Sequence, residues 1–304
     1  MLNVTFTDYM SAIFSSKLLF YHEEFLNARK VFKNWLKAIL FRFGVLNRFV
    51  GELSNGERVE IKNLWDYYHI LYSHMLEDAK IWGSIIKFKF KNRNLRFYSS
   101  KRVLLDSLKV LNETFGMRVY KQLNVKGKIV VDIGSYIGDS PIYFILKGAE
   151  RVYAFEPYPS SYSLLLKNIK INSSDKKIIA FNEGLSKNMG KIRIKEDYEG
   201  LATSQLKDFH QGKQVKLTTL EGIVKRFNLK DAVLKMDCEG CEYTILKTPK
   251  KILKSFQEII MEYHYGYKDL KEKLERASFK VRNTKPIRVN RLLMGYLHAT
   301  PLMC

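Results

Sequence analysis

From Lys128 onward the chain repeats one local pattern: a short apolar run, a turn, then an amphipathic stretch. "KIVVDIG" is followed by "DSPIYFILKGA", "RVYAFEP" by "SSYSLLLKNIKIN", and "AVLKMD" by "EYTILKTPKKILKSF". "KKIIAFNEGLS" and "QEIIMEYH" add two more strands, and "LEGIVKRFN" and "YKDLKEKLERAS" two more helices. Strands alternating with helices predict a mostly parallel sheet covered on both faces, the α/β class. "GKIRIKEDYEG" and "KQVKLTTL" predict an inserted antiparallel piece, and "FKVRNTKPIRVNRLLMGYLHA" a final pair of strands. Ligands on such a sheet bind beyond the carboxyl ends of the strands. The residues just after each strand are therefore the ones to weigh.

The first 127 residues follow no such rhythm, so the expected organisation is an N-terminal region, 1–127, and a catalytic domain, 128–304. "FYHEEFLNARKVFKNWLKAILFRFGVL" predicts one or two amphipathic helices. "RFVGELSNGERVEI" predicts a hairpin turning at Asn55-Gly56, and "IIKFKFKNRNLRFYSS" a second one turning at Asn92–Asn94. A charged leader is missing before Lys17, and Lys37, Arg42 and Arg48 interrupt the most apolar run. We therefore expect no secretory signal and no membrane span, and a protein that is cytoplasmic or peripheral at the inner membrane face.

The first two strand ends carry acids. In "VVDIGSYIGDS", Asp132 precedes a turn containing Gly134, Tyr136 and Gly138. The pattern is not G-x-G-x-x-G, and a carboxylate there would repel a pyrophosphate. It suits a cofactor with a cationic centre, such as S-adenosylmethionine (SAM). Glu156 ends "VYAFEP", twenty-four positions later, where a carboxylate accepts the ribose hydroxyls of an adenosine. Asn182, after the third strand, is a further candidate at the adenine or ribose edge. A plain glycine turn, a solvated acid and a loop asparagine are the structural alternatives for these positions.

Together "VVDIGSYIGDS", "VYAFEPYPSSYSLLLKNIKIN", "VKLTTLEGIV", "VLKMDCEGCEYTIL" and "IIMEYH" resemble the FkbM family of SAM-dependent methyltransferases. The resemblance covers roughly Lys128 to Phe279. It implies a Rossmann-like class I fold with a seven-stranded sheet. It also implies O-methylation of a hydroxyl, often on a sugar or on a glycosylated or polyketide product. Two positions depart from the family pattern: Glu221 in place of an aspartate, and Cys241 in place of a small residue.

"VLKMDCEGCEYTIL" holds both a C-x-x-C pair and three acids. The acids Asp237, Glu239 and Glu242 would raise the thiol pKa of Cys238 and Cys241, which argues against a redox pair. Zinc lacks ligands, because the third cysteine, Cys304, is terminal. Both cysteines are expected to be small apolar fillers. Asp237, Glu239 and His264 are the expected catalytic residues, placed to align a hydroxyl and take its proton. The alternative is one Mg²⁺-like ion on Asp237, Glu239 and Glu262; we prefer a metal-free base.

The formal net charge of +21 favours anionic partners. Seven basic residues and no acid lie between Lys87 and Arg102. They suit a phosphorylated or lipid-linked glycan, an anionic membrane surface or RNA, or form a solvated hairpin face over a buried aromatic stripe. The leading expectation is an O-methyltransferase of a sugar, glycolipid or related small molecule. An RNA methyltransferase, or a non-catalytic membrane or nucleic-acid binding protein, are the alternatives. No D-P-P-Y-type motif of amine methylation is present.

Overall fold

The computed structural model describes residues 24–54, 56–71, 76–100, 103–195, 208–209, 211–289 and 292–302. Asn55, Lys101, Arg102 and Cys304 fall outside these. In the N-terminal region, α1 covers 24–31 and α2 Trp35–Arg42. Two short strands, β1 (Phe49–Glu52) and β2 (Arg58–Ile61), pair antiparallel as the first expected hairpin. Helix α3 (Leu64–Leu71) leads to a three-stranded meander of β3 (Glu77–Trp82), β4 (Ile85–Phe90) and β5 (Arg93–Tyr98). The second hairpin turns at Lys91–Asn92, both with positive φ, rather than at Asn92–Asn94. Such a two-residue turn matches the twist of the strands. The aromatic stripe is buried: Phe88, Phe90 and Phe97 ring Phe115. Helix α4 (Leu104–Leu111) runs into a π-helical turn, Asn112–Gly116.

The second half is built from β6 (Ile129–Ile133), α5 (Asp139–Leu146), β7 (Arg151–Phe155), α6 (Pro159–Ile171) and β8 (Ile178–Phe181). Strands β9 (Glu183–Leu185), β10 (Gly190–Ile194) and β11 (Lys213–Thr218) form the expected insertion, with β10 and β11 antiparallel. Then come α7 (Leu220–Arg226), β12 (Ala232–Met236), α8 (Lys250–Leu253), β13 (Phe256–Tyr263) and α9 (Lys268–Arg276). Strands β14 (Phe279–Asn283), β15 (Ile287–Val289) and β16 (Leu292–Pro301) close the chain.

The main sheet runs β14-β16-β13-β12-β6-β7-β8. Its five strands from β13 to β8 are parallel; β16 is antiparallel to both β13 and β14. The tail is three strands rather than two, since β15 also pairs with β16. Strand order reverses between β6 and β12, which makes their carboxyl ends the switch point where ligands bind. Successive residues point to opposite faces. Val130, Val152, Val233 and Ile260 pack on one side with α5, α6 and the N-terminal layer. Val131, Tyr153, Leu234 and Ile259 pack on the other with α7, α8 and α9.

The N-terminal layer is clamped to α6 by two asparagines. Asn168 Oδ1 accepts from Tyr98 N (2.6 Å), and its Nδ2 donates to Tyr98 O and Ile137 O. Asn172 makes the same paired contacts to the backbone of Arg96. The side-chain amides thus satisfy a strand edge that would otherwise be left open.

One expected helix is interrupted. "EYTILKTPKKILKSF" folds as a 3₁₀ turn over Cys241–Lys247, a break, and the short α8. Pro249 lacks an amide hydrogen and forces Thr248 into an extended conformation, so the helix cannot run through.

Candidate active site

A cleft opens at the switch point. It is lined by residues from the ends of β6, β7, β12 and β13 and by α4 and the π-turn above them. Gly134 follows β6 with φ of +78°, and a Cβ there would stand 1.8 Å from the carbonyl oxygen of Asp237. Only glycine allows the two loops to come this close. Gly138 also has positive φ (+93°) and leads into α5; a Cβ there would meet Leu165 at 2.8 Å. Between them the backbone amide of Tyr136 donates to Glu156 Oε2 (2.9 Å).

Glu156 lies at the tip of β7 and lines the cleft, 4% exposed. Its Oε1 accepts from Tyr158 N at 2.9 Å. Burial pushes its carboxyl up to about 7 against the pull of those amides. Asn182 does not line the cleft; its Nδ2 donates to Glu156 O and Pro157 O, which fixes the Glu156 loop. Asp132 sits beneath the cleft, fully buried. Its Oδ1 is 3.0 Å from Lys235 Nζ, and its Oδ2 accepts from Ser140 Oγ at 2.7 Å. It thereby ties β6 to β12 and α5.

Lys235 was not singled out in the sequence, because it interrupts the apolar run "AVLKM" without leaving it. Its ammonium donates to Gly134 O at 2.7 Å and faces the cleft. Burial opposes its charge, but Asp132, Asp237 and Asp139 outweigh that and raise its pKa. Asp139, at the first turn of α5, accepts from Thr114 Oγ1 at 2.6 Å and is pushed up to about 7, chiefly by burial.

At the ends of β12 and β13 the structure brings Asp237, Glu239, Glu262 and His264 together. Tyr120 donates to Asp237 Oδ2 and Tyr296 to Glu262 Oε2, both at 3.3 Å. His264 is 1% exposed and stands between two carboxylates: Nδ1 is 2.8 Å from Glu242 Oε1, and Nε2 is 3.2 Å from Glu239 Oε2. Burial works against a charged ring, yet Glu239 and Glu242 raise its pKa to about 11. Without an ion between them, the two carboxylates favour the charged ring, which is then not a free base. Glu262 is pushed well above the usual carboxylate range by burial, then by Asp237 and Glu113.

Lys109, Glu113, Thr114 and Tyr120 complete the cleft from the N-terminal region, where the sequence showed no catalytic pattern. The one local signal is structural: π-turns such as Asn112–Gly116 recur at functional sites. Glu113 is pushed up to about 7, mainly by burial. The cleft wall thus holds Glu113, Asp139, Glu156, Asp237, Glu239 and Glu262, against Lys109 and Lys235.

Cys238 and Cys241 are joined by a disulfide with Cα atoms 5.4 Å apart, not free fillers as expected. Gly240, with φ of +118°, makes the turn that brings them together. Both still pack on the apolar cluster beneath the sheet. Among the described residues, no helix is long and apolar enough to cross a membrane.

A parallel sheet with this strand order, a glycine turn after its first strand and a buried acid after its second make a Rossmann-like fold of the class I methyltransferase type. Glu156, whose two oxygens each accept one backbone amide at the cleft, has lone pairs left that would suit the ribose hydroxyls of SAM. Residues 132–281 match the family model described as the methyltransferase FkbM domain. The chain carries that domain and is a SAM-dependent methyltransferase.

Among curated relatives, the chain is similar to the hexuronic acid methyltransferase AglP of Haloferax volcanii. The two are 26% identical over 170 residues, 55% of this chain and 70% of that protein. Among solved structures it is similar to TYW2 of M. jannaschii in complex with AdoMet, with a TM-score of 0.41 and 16% identity over 72% of this chain and 87% of that one. It is also similar to TYW2 of P. horikoshii in complex with MeSAdo, with a TM-score of 0.43 and 11% identity over 88% and 81%.

Proposed function

We propose that the protein methylates a hydroxyl of a sugar, a glycolipid or a related polyhydroxylated molecule. One observation carries this: besides Glu156, five acidic side chains (Glu113, Asp139, Asp237, Glu239 and Glu262) and two lysines line the cleft that would hold the acceptor. Hydroxyls are donors, and a wall of carboxylates accepts from them. A phosphate backbone would meet net negative charge at the very place where its base must dock. This disfavours RNA, despite the net charge of +21. The likeness to a hexuronic acid methyltransferase supports a sugar acceptor. Leu36, Leu40, Phe43 and Val45 are exposed beside Lys33 and Lys37, which supports a lipid-linked form of it.

In this reading Gly134, Tyr136 and Glu156 bind the cofactor, with Glu156 on the ribose and Asn182 fixing its loop. Bound SAM supplies a methyl group on a sulfonium, whose S–CH₃ bond breaks as the acceptor's O–CH₃ bond forms. Asp237 and Glu262 hold the acceptor hydroxyl and take up its proton. Tyr120 and Tyr296 orient these two carboxylates. His264, charged between Glu239 and Glu242, fixes the end of β13 and offsets the acid cluster. Asp132 and Lys235 keep β6 and β12 in register beneath.

The test is the chemistry of the product. Methyl label transferred from SAM to a glycan acceptor should resist mild alkali, as an ether does. Label released as methanol would mean a carboxyl acceptor and would refute the proposal.

A further inference from the structure

We infer that Asp237, Glu262 and His264 form a binding site for one divalent cation on the acceptor side of the cleft. One potential ligand atom from each lies within 4.8 Å of the others. That spacing suits groups converging on a shared ion at about 2.0–2.6 Å from each.

Each of the three is oriented from behind. Tyr120 holds Asp237 through Oδ2, Tyr296 holds Glu262 through Oε2, and Glu242 Oε1 engages His264 Nδ1. The last contact is the one that matters most. A histidine that gives its Nδ1 hydrogen to a carboxylate presents the Nε2 lone pair to a metal, and such outer carboxylates tune affinity. His264 is 1% exposed, and its Nε2 is ion-paired with Glu239 Oε2 at 3.2 Å, so a bound cation would take the place of the Nε2 proton. A buried imidazole backed by Glu242 and grouped with Asp237 and Glu262 is built as a ligand position more than a packing one.

The mixed donor set selects the ion. Two carboxylates and one imidazole suit a first-row divalent cation such as Mn²⁺ better than Mg²⁺ or Ca²⁺, which favour all-oxygen shells. With the ion present, Asp237 and Glu262 would act on the acceptor hydroxyl through it rather than directly, and the ion would lower the hydroxyl's pKa. That role rests on the O-methyltransferase reading; the binding does not. His264, rather than Glu239, is thus the third ligand beside Asp237 and Glu262.

The experiment titrates the full-length protein with Mn²⁺ and follows the free-ion electron paramagnetic resonance signal. One ion per chain is expected, with nitrogen coupling in the spin-echo spectrum that changes on ¹⁵N-histidine labelling. Glu262→Gln and His264→Gln should each weaken binding at least about tenfold, and Glu242→Gln by about 10–100-fold. A Lys89→Ala control should not change it. Thermal melts and SAM titration confirm that each variant is folded. No bound ion in a wild-type protein that binds SAM would overturn the site, as would bound Mn²⁺ without nitrogen coupling. Mn²⁺ bound as expected, with methyl transferred only to RNA, would keep the site and refute the acceptor. Methyl transfer to a glycan without any bound ion would do the reverse.

Discussion

The backbone of Gly134 and the carbonyl of Asp237 are in such close contact that a methyl group on Gly134 would overlap the Asp237 oxygen at 1.8 Å. The turn after β6 and the turn after β12 are one packed unit. Replacing Gly134 by alanine adds both this clash and a strained left-handed residue. Gly134→Ala should cost at least about 2 kcal/mol of stability and abolish SAM binding. A melting temperature and SAM affinity equal to wild type would show that the contact is not real.

Burial pushes Glu113, Asp139 and Glu156 each up to about 7, above their ordinary values of 4.5, 3.8 and 4.5. A carboxyl whose folded pKa is raised binds a proton in the native state that the unfolded state has released. Its contribution is full below the unfolded value and is lost as pH rises through about 7. His264, raised from 6.5 to about 11, keeps its contribution through most of that window and loses it only as pH rises toward about 11. The urea midpoint of the ligand-free protein should therefore fall between about pH 4 and pH 7, with a shallower fall in Glu113→Gln. A midpoint that rises across this range would contradict the buried acid cluster.

The amide of Asn168 is fully buried and satisfies both backbone groups of Tyr98. Asn168→Ala leaves them unpaired and should cost about 2 kcal/mol. Because Glu113 and Tyr120 belong to the same N-terminal layer, catalytic efficiency should fall as well. Denaturant unfolding measures the first effect and initial rates the second. An unchanged midpoint would mean that the layer is held elsewhere.

Much of this was legible in the sequence, and the limits have physical causes. Strand–helix alternation predicted the parallel sheet, and acids at strand tips marked Glu156, Asp237 and Glu239, which the fold gathers in one cleft. Asp132 shares the same signal but points into the sheet, where Lys235 neutralises it. A lysine inside an apolar strand looks like noise until its partner in the adjacent strand is known. Glu113 and Tyr120 come from a region whose local pattern is only amphipathic, so no motif marks them. The break at Pro249 was readable; the joining of Cys238 and Cys241 depended on the turn at Gly240.

The carboxylate positions around the disulfide have anchors of their own. Asp237 N donates to Ile133 O, and Gly240 N donates to Glu242 Oε2 at 2.8 Å. Cys238→Ala/Cys241→Ala should therefore retain methyl transfer within about threefold, less than 1 kcal/mol of transition-state stabilisation. A folded double variant without activity would assign the sulfurs a part in the chemistry.

The most direct measurement supplies methyl-labelled SAM and the enzyme to a host cell extract and separates glycan, lipid and RNA. Label should enter the glycan or glycolipid fraction and be lost with Asp237→Asn. Label confined to RNA, or retained by that variant, would contradict the account.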